Sequence, residues 1–172
     1  MSDLITLRVA TLPDYPLVQN MARFYVYDMS RECSVEEGWD LPADGLYECV
    51  DLKSYFVNQD RTAYLIYVED EVAGFAMVNK VGAGPYVDWN MGEFFILAKF
   101  QGRGIGKAAA THIFNQHPGM WNVMVMPLNQ SAYLFWKRVI EDYGGQPLES
   151  IPHMVQDPHP HVMNVFEFQV FQ

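Results

Sequence analysis

Cysteine is scarce in this chain of 172 residues: Cys33 and Cys49 are the only two. Two isolated thiols exclude a disulfide framework and a cysteine-built zinc site, and a reducing cytoplasm is the simplest setting. Long apolar runs are missing as well. No segment reaches the roughly 18 uninterrupted apolar residues of a membrane span, and the opening residues lack the basic start and apolar stretch of an export signal. The expectation is a cytoplasmic protein without a membrane segment. Cations are the third shortage: 11 Lys and Arg stand against 21 Asp and Glu, a net charge of -10 at pH 7. Phosphate backbones reward clustered cations, so a general nucleic-acid surface is excluded, and small cationic or neutral partners fit better.

What the chain has in quantity is apolar and aromatic side chains, 50% and 15% of its residues. That is the composition of a packed globular protein. A chain of this length buries about two thirds of its unfolded surface, and with no repeat, linker or low-complexity tract it reads as a single domain over 1–172. Its acids are unevenly spread. Asp28, Glu32, Glu36, Glu37, Asp40, Asp44, Glu48 and Asp51 are opposed within their stretch by Arg31 alone. The run reads either as a solvated loop or as an acidic lip that attracts an amine.

Residues 4–10 read as a first strand. Over 14–30 the apolar positions Tyr15, Val18, Met21, Ala22, Tyr25, Val26 and Met29 recur at threes and fours, the spacing of an amphipathic helix. Gly38, Pro42 and Gly45 make 32–49 a long loop, and a short helix follows from Leu52. Strands from Thr62 and Glu71 meet at a tight turn over 69–71, and aromatic and branched residues make 87–97 a strand. A helix over 106–116 carries Ala109, Ala110, Ile113 and Phe114 as one stripe and stops at Pro118 and Gly119. After a strand at 120–126, Asn129 caps a helix with Ala132, Phe135, Trp136, Val139 and Ile140 on one face. Residues 150–161 read as a loop, and 162–171 alternate as a final strand. The class is mixed α/β.

The chemical signal is the stretch "FQGRGIGKAAA" over 100–110, delivered by the apolar run "EFFIL". A dinucleotide fingerprint needs a third glycine where Lys107 stands. A P-loop needs glycine where Gln101 stands, and Ser or Thr where Ala108 stands. Neither motif is satisfied, which disfavours a dinucleotide-dependent oxidoreductase. What survives is a glycine-rich turn between a strand and a helix N-terminus, whose bare N–H groups and dipole favour an anion such as a pyrophosphate.

Gln101, Gly102, Arg103, Gly104, Ile105 and Gly106 match a known acetyl-CoA signature: Gln or Arg, two variable residues, Gly, one variable residue, then Gly or Ala. With this motif between strand and helix, with Asn129, Gln130, Ser131 and Ala132 opening an aromatic-rich helix, and with its element order, the chain resembles the GNAT N-acetyltransferases over nearly its whole length. The resemblance implies a mostly antiparallel mixed sheet of about six to seven strands with about four helices. It also implies acetyl-CoA as co-substrate and an amine acceptor, a small molecule, peptide or protein, and it leaves a homodimer open. The pantetheine arm would then lie along the backbone of Phe94, Phe95, Ile96 and Leu97, with Ile96 the bonding position. The pyrophosphate would lie on the amides of the loop from Gln101 to Lys107, with charge added by Arg103 and Lys107. Asn129 would bond the cofactor or act simply as a helix cap.

For catalysis, Glu93 is the candidate base, since desolvation beside Phe94 and Phe95 would raise its pKa; an ordinary strand glutamate is the plain alternative. An amide of Phe94 or Phe95 could steady the oxyanion. Many relatives carry a tyrosine as general acid where this chain has Trp136, whose indole cannot protonate a thiolate. Tyr133 is the substitute candidate, and solvent the other. That departure keeps open a non-catalytic acyl-CoA-binding module. His153, His159 and His161 with Asp157 lack a ligand spacing, so no metal is expected.

Overall fold

Arg8 fastens the start of the chain: its guanidinium makes two 2.9 Å bonds to the Asp14 carboxylate, which it holds well below the usual carboxylate range. The computed structural model describes residues 5–82, 84–156 and 159–172. The chain runs β1 (Ile5–Val9), α1 (Tyr15–Cys33), α2 (Ser54–Val57), β2 (Arg61–Val68), β3 (Glu71–Asn79) and β4 (Trp89–Ile96). It continues as α3 (Ile105–Gln116), β5 (Gly119–Val125), α4 (Gln130–Gly144), β6 (Ile151–Val155) and β7 (His161–Val170). The strands form one 7-stranded sheet in the order β1-β2-β3-β4-β5-β7-β6. Every neighbouring pair is antiparallel except β4 and β5.

Alternation assigns the faces. Val78, Met91, Trp121, Val123 and Phe166 point to the side covered by α3 and α4, while Leu65, Phe75, Met77 and Phe95 point to the side covered by α1 and α2. Each such burial contributes about 1.5–3 kcal/mol. Trp121 is 0% exposed and meets Phe114 of α3 edge-on at 5.0 Å, so α3 is seated on the parallel pair. Among the described residues no helix is long and apolar enough to cross a membrane.

Two expectations need correction. Residues 150–161 are not simply a loop: β6 pairs with β7 from Ile151 opposite Val165 to Val155 opposite His161. Most of β6 is exposed, and Pro152 interrupts its alternation. A sheet edge tolerates a residue that donates no ladder bond, so backbone pairing rather than burial forms this strand. Asp157 lies outside the described residues. α1 also runs on to Cys33, beyond the expected start of the acidic loop, because buried Cys33 packs as an apolar residue.

Candidate active site

The parallel pairing of β4 with β5 extends only from Trp89 opposite Trp121 to Met91 opposite Val123. Beyond that point the strands part, and a groove of about 600 Å³ opens between them. A bulge sits at the apex. Met77 lies opposite Glu93 but Val78 lies opposite Met91, which leaves Gly92 as the extra residue of β4. No side chain fits there, since a Cβ on Gly92 would lie 2.3 Å from the Tyr55 hydroxyl oxygen and 2.8 Å from Asn79 Nδ2.

Past the bulge, β4 shows polar backbone to the groove. The Leu97 amide bonds to the Ala73 carbonyl at 2.8 Å, on the β3 side. Backbone groups alternate along a strand, so Phe94 and Ile96 turn theirs toward β5, while Phe95 and Leu97 turn theirs away. The Ile96 carbonyl accepts a 2.7 Å bond from Gln101 Nε2, which ties the strand to the loop that follows.

That loop is shaped by backbone conformation. Gly102 and Gly104 have φ of +73° and +80°, and a Cβ at either would meet nothing, so the left-handed conformation, not crowding, calls for glycine. Gly104 caps α3 without a side-chain bond, and no acid occupies the first turn. The orphan amides of a helix of 12 residues therefore face the groove with the positive end of the dipole behind them. Gln101, Gly102, Gly104, Gly106 and Lys107 line it. Arg103 and Ile105 do not. The Arg103 guanidinium lies 5.7 Å from the Phe100 ring centroid, beside a separate depression with Glu69, Asp70 and Glu71. Ile105 is 2% exposed and belongs to the core. Lys107 Nζ sits 2.7 Å from Asp142 Oδ2, so its charge is shared.

Glu93 lines the groove just beyond the bulge. The residue keeps some surface in the groove, but protein atoms crowd its carboxyl and govern its charge. Desolvation raises its pKa to about 7, partly offset by hydrogen bonding from the Tyr25 hydroxyl. Burial and the neighbouring Glu93 together push the Tyr25 phenol well above its ordinary value.

On the α4 side, Asn129 Oδ1 accepts the Ala132 amide at 3.1 Å as a helix cap, and the residue also lines the groove. Trp136 lines it too, 6% exposed and edge-on to Phe94 at 5.1 Å. Tyr133 faces elsewhere: its ring packs on Phe166 at 5.1 Å, and its hydroxyl accepts from Ser150 Oγ at 3.4 Å. The structure does not bring it to the groove, because its place on α4 turns it toward β7.

Sequence reasoning missed Tyr25, and it gave Asp28 and Glu32 only as members of an acidic run, not as residues of α1 in this groove. Tyr25, Asp28 and Glu32 line the groove. Asp28 meets Gln101 Nε2 at 3.3 Å, and Glu32 accepts the Ser131 amide at 3.0 Å together with the Ser131 hydroxyl, bridging α1 to α4. A signal existed: acids at 28 and 32 fall on the helical face of Tyr25 and Met29, where an all-core stripe would be apolar. Among the described residues no three His, Cys, Asp or Glu side chains converge as a metal site. The groove thus offers amides for an anion, a strand edge for an extended polar chain and a carboxyl that titrates near neutrality.

The sequence model of the Acetyltransferase (GNAT) family matches residues 24–139. An acetyltransferase structure from Thermus thermophilus shares 22% identity and a TM-score of 0.62 over 98% of this chain and 99% of that one. The Salmonella typhimurium protein yncA, described as an acetyltransferase and solved with its cofactor acetyl-CoA, has 11% identity and a TM-score of 0.60 over 98% and 95%. An aminoglycoside acetyltransferase from an uncultured soil metagenomic sample, in complex with sisomicin, has 16% identity and a TM-score of 0.51 over 78% and 86%. These likenesses concern the fold. The comparison with curated proteins finds no match.

Proposed function

Since the chain belongs to the Acetyltransferase (GNAT) family, we propose that it is an acetyl-CoA-dependent N-acetyltransferase. It would transfer the acetyl group directly to a primary amine of a small molecule or of a peptide or protein. The observation that carries the reading is a desolvated carboxyl, Glu93 with a pKa of about 7, at the apex of a groove that the glycine turn and the start of α3 also line.

The residues present fit the cofactor. The Phe94 backbone and the Ile96 amide, turned away from β3, offer a strand edge for the pantetheine arm, while the Ile96 carbonyl is held by Gln101. The uncapped amides from Gly102 to Lys107 suit a pyrophosphate, and Asn129 can bond the arm with its amide nitrogen while its oxygen caps α4. The bound thioester supplies an activated acetyl group. The chain's own work is on protons and position. Glu93 takes a proton from the incoming ammonium, directly or through water, and at neutral pH about half of it is ionised and competent to do so. The Phe94 amide donates to the acetyl oxygen as charge builds there. Tyr25 holds the Glu93 carboxyl, Trp136 and Phe94 keep water from the thioester, and solvent returns the final proton. Asp28 and Glu32, which line the groove, draw a cationic amine to it.

Calorimetric titration with acetyl-CoA tests the first half, and release of free CoA across an amine panel tests the second. Tyr133 turning away from the groove favours one other reading, a non-catalytic acyl-CoA-binding module. Binding without any amine-dependent release of CoA would decide for it.

A further inference from the structure

Polar residues stand side by side across the sheet on the face that α1 and α2 cover. Asn79 of β3 is opposite Asn90 of β4, and Asn90 is opposite Asn122 of β5. Their exposures are 4%, 4% and 0%. Asn79 is satisfied: its Nδ2 donates to the Tyr55 hydroxyl at 2.6 Å, and its Oδ1 accepts from the Val81 amide at 2.8 Å and from Asn90 Nδ2 at 3.3 Å. Its neighbours are not. Among the described residues, Asn90 Oδ1 and both carboxamide atoms of Asn122 are buried without a hydrogen-bond partner. Buried polar atoms almost always have partners, and apolar residues of this size would fill the space without the penalty.

Their place in the fold suggests a use. Asn90 and Asn122 are the pair just before Met91 and Val123, the last at which β4 and β5 touch. Met91, Gly92, Val123 and Met124 line the groove. Glu93 is on the same sheet face as Asn90, one bulge farther along. Met124 shares the face of Asn122 and stands between it and the groove, and a thioether side chain rearranges readily.

We propose that Asn90 and Asn122 form an acceptor-selecting subsite for an uncharged hydrogen-bonding group, a carboxamide or hydroxyl, carried a few bonds from the amine that Glu93 deprotonates. The inference rests on the N-acetyltransferase reading above. Two carboxamides offer donors and acceptors without net charge, so an amide or hydroxyl satisfies them, whereas a carboxylate or ammonium would be buried there without a counter-charge. At ~3.3 Å per residue, Asn90 and Glu93 lie about 7–10 Å apart along β4, a span their side chains shorten to that of a short linker.

β-Alaninamide and isopentylamine test this, being alike in shape and different in the carboxamide. Acetyl-CoA-dependent release of CoA is measured with each for the wild type, Asn122→Leu and Asn90→Leu, alongside melting curves. The wild type should prefer β-alaninamide in kcat/KM, and Asn122→Leu should lower that preference roughly tenfold while melting no lower than the wild type. Comparing the same amines across variants cancels their different basicities. Should Asn122→Leu not fold, Asn122→Val and Asn90→Leu read the same preference. An unchanged preference in a folded variant overturns the proposal, as does a wild type with no preference, and both leave acetyl-CoA binding by calorimetry intact. A wild type that binds no acetyl-CoA overturns the acetyltransferase reading, and this proposal with it.

Discussion

On the α3 side, the groups facing the groove are amides of a turn whose Gly102 and Gly104 sit at φ +73° and +80°. On the α1 side they are the side chains of Tyr25, Asp28 and Glu32, each tied to a partner far away in sequence: Glu93, Gln101 and Ser131. The first wall is local backbone conformation, which a few consecutive residues encode. The second exists only once α1 has packed across the sheet. An anion site that any cofactor molecule presents identically can be made of backbone, whereas the site for a particular acceptor must be made of side chains.

Substitutions can break this comparison one wall at a time. Glu93→Gln should lower turnover by about 10²–10⁴-fold and flatten the rise of kcat/KM with pH near 7, while acetyl-CoA binding by calorimetry stays within about twofold. Gly104→Val should do the reverse. Forcing a branched residue into the left-handed region costs about 2 kcal/mol, so acetyl-CoA affinity should fall roughly 30-fold with the Glu93 pH profile in place.

The fold was readable where the pattern is local. The strands from Thr62 and Glu71, the helix over Ala109 to Phe114 and the Asn129 cap follow from periodicity and cap chemistry. β6 was not, because Pro152 and an exposed face carry no alternation and its partner strand supplies the order. At the site, Glu93 and the glycine turn stood out in one dimension. Tyr25 did not, and Glu32 stood there only within an acidic run, since their placement depends on which strand and helix α1 meets. Arg103 is the opposite case: its motif position suggested an anion, and its guanidinium lies 5.7 Å from the Phe100 ring centroid, outside the residues that line the groove.

Smaller effects sharpen the comparison. Glu93 is held neutral more readily in the folded protein than in the unfolded chain, with a pKa of about 7 against 4.5. Its stabilising protonation is complete below the unfolded value and is lost as pH rises through the folded one. Glu93→Gln should therefore be more stable than the wild type at pH 8 by on the order of 2–3 kcal/mol, and not at pH 4, as denaturant melts at the two pH values would reveal. Lys107→Ala should weaken acetyl-CoA binding about fivefold, and Arg103→Ala by less than about twofold, when both are titrated at low salt. Tyr133→Phe, whose hydroxyl faces Ser150, should leave kcat within about twofold; a fall of about a hundredfold would return it to the role of general acid.

The most direct measurement is a calorimetric titration of the wild-type chain with acetyl-CoA, repeated on Glu93→Gln. Saturable binding that is equal in both is the expected result, since the proposed mechanism gives the cofactor to the groove's backbone wall and assigns Glu93 to the acceptor alone. A flat titration of the wild-type chain would contradict the account.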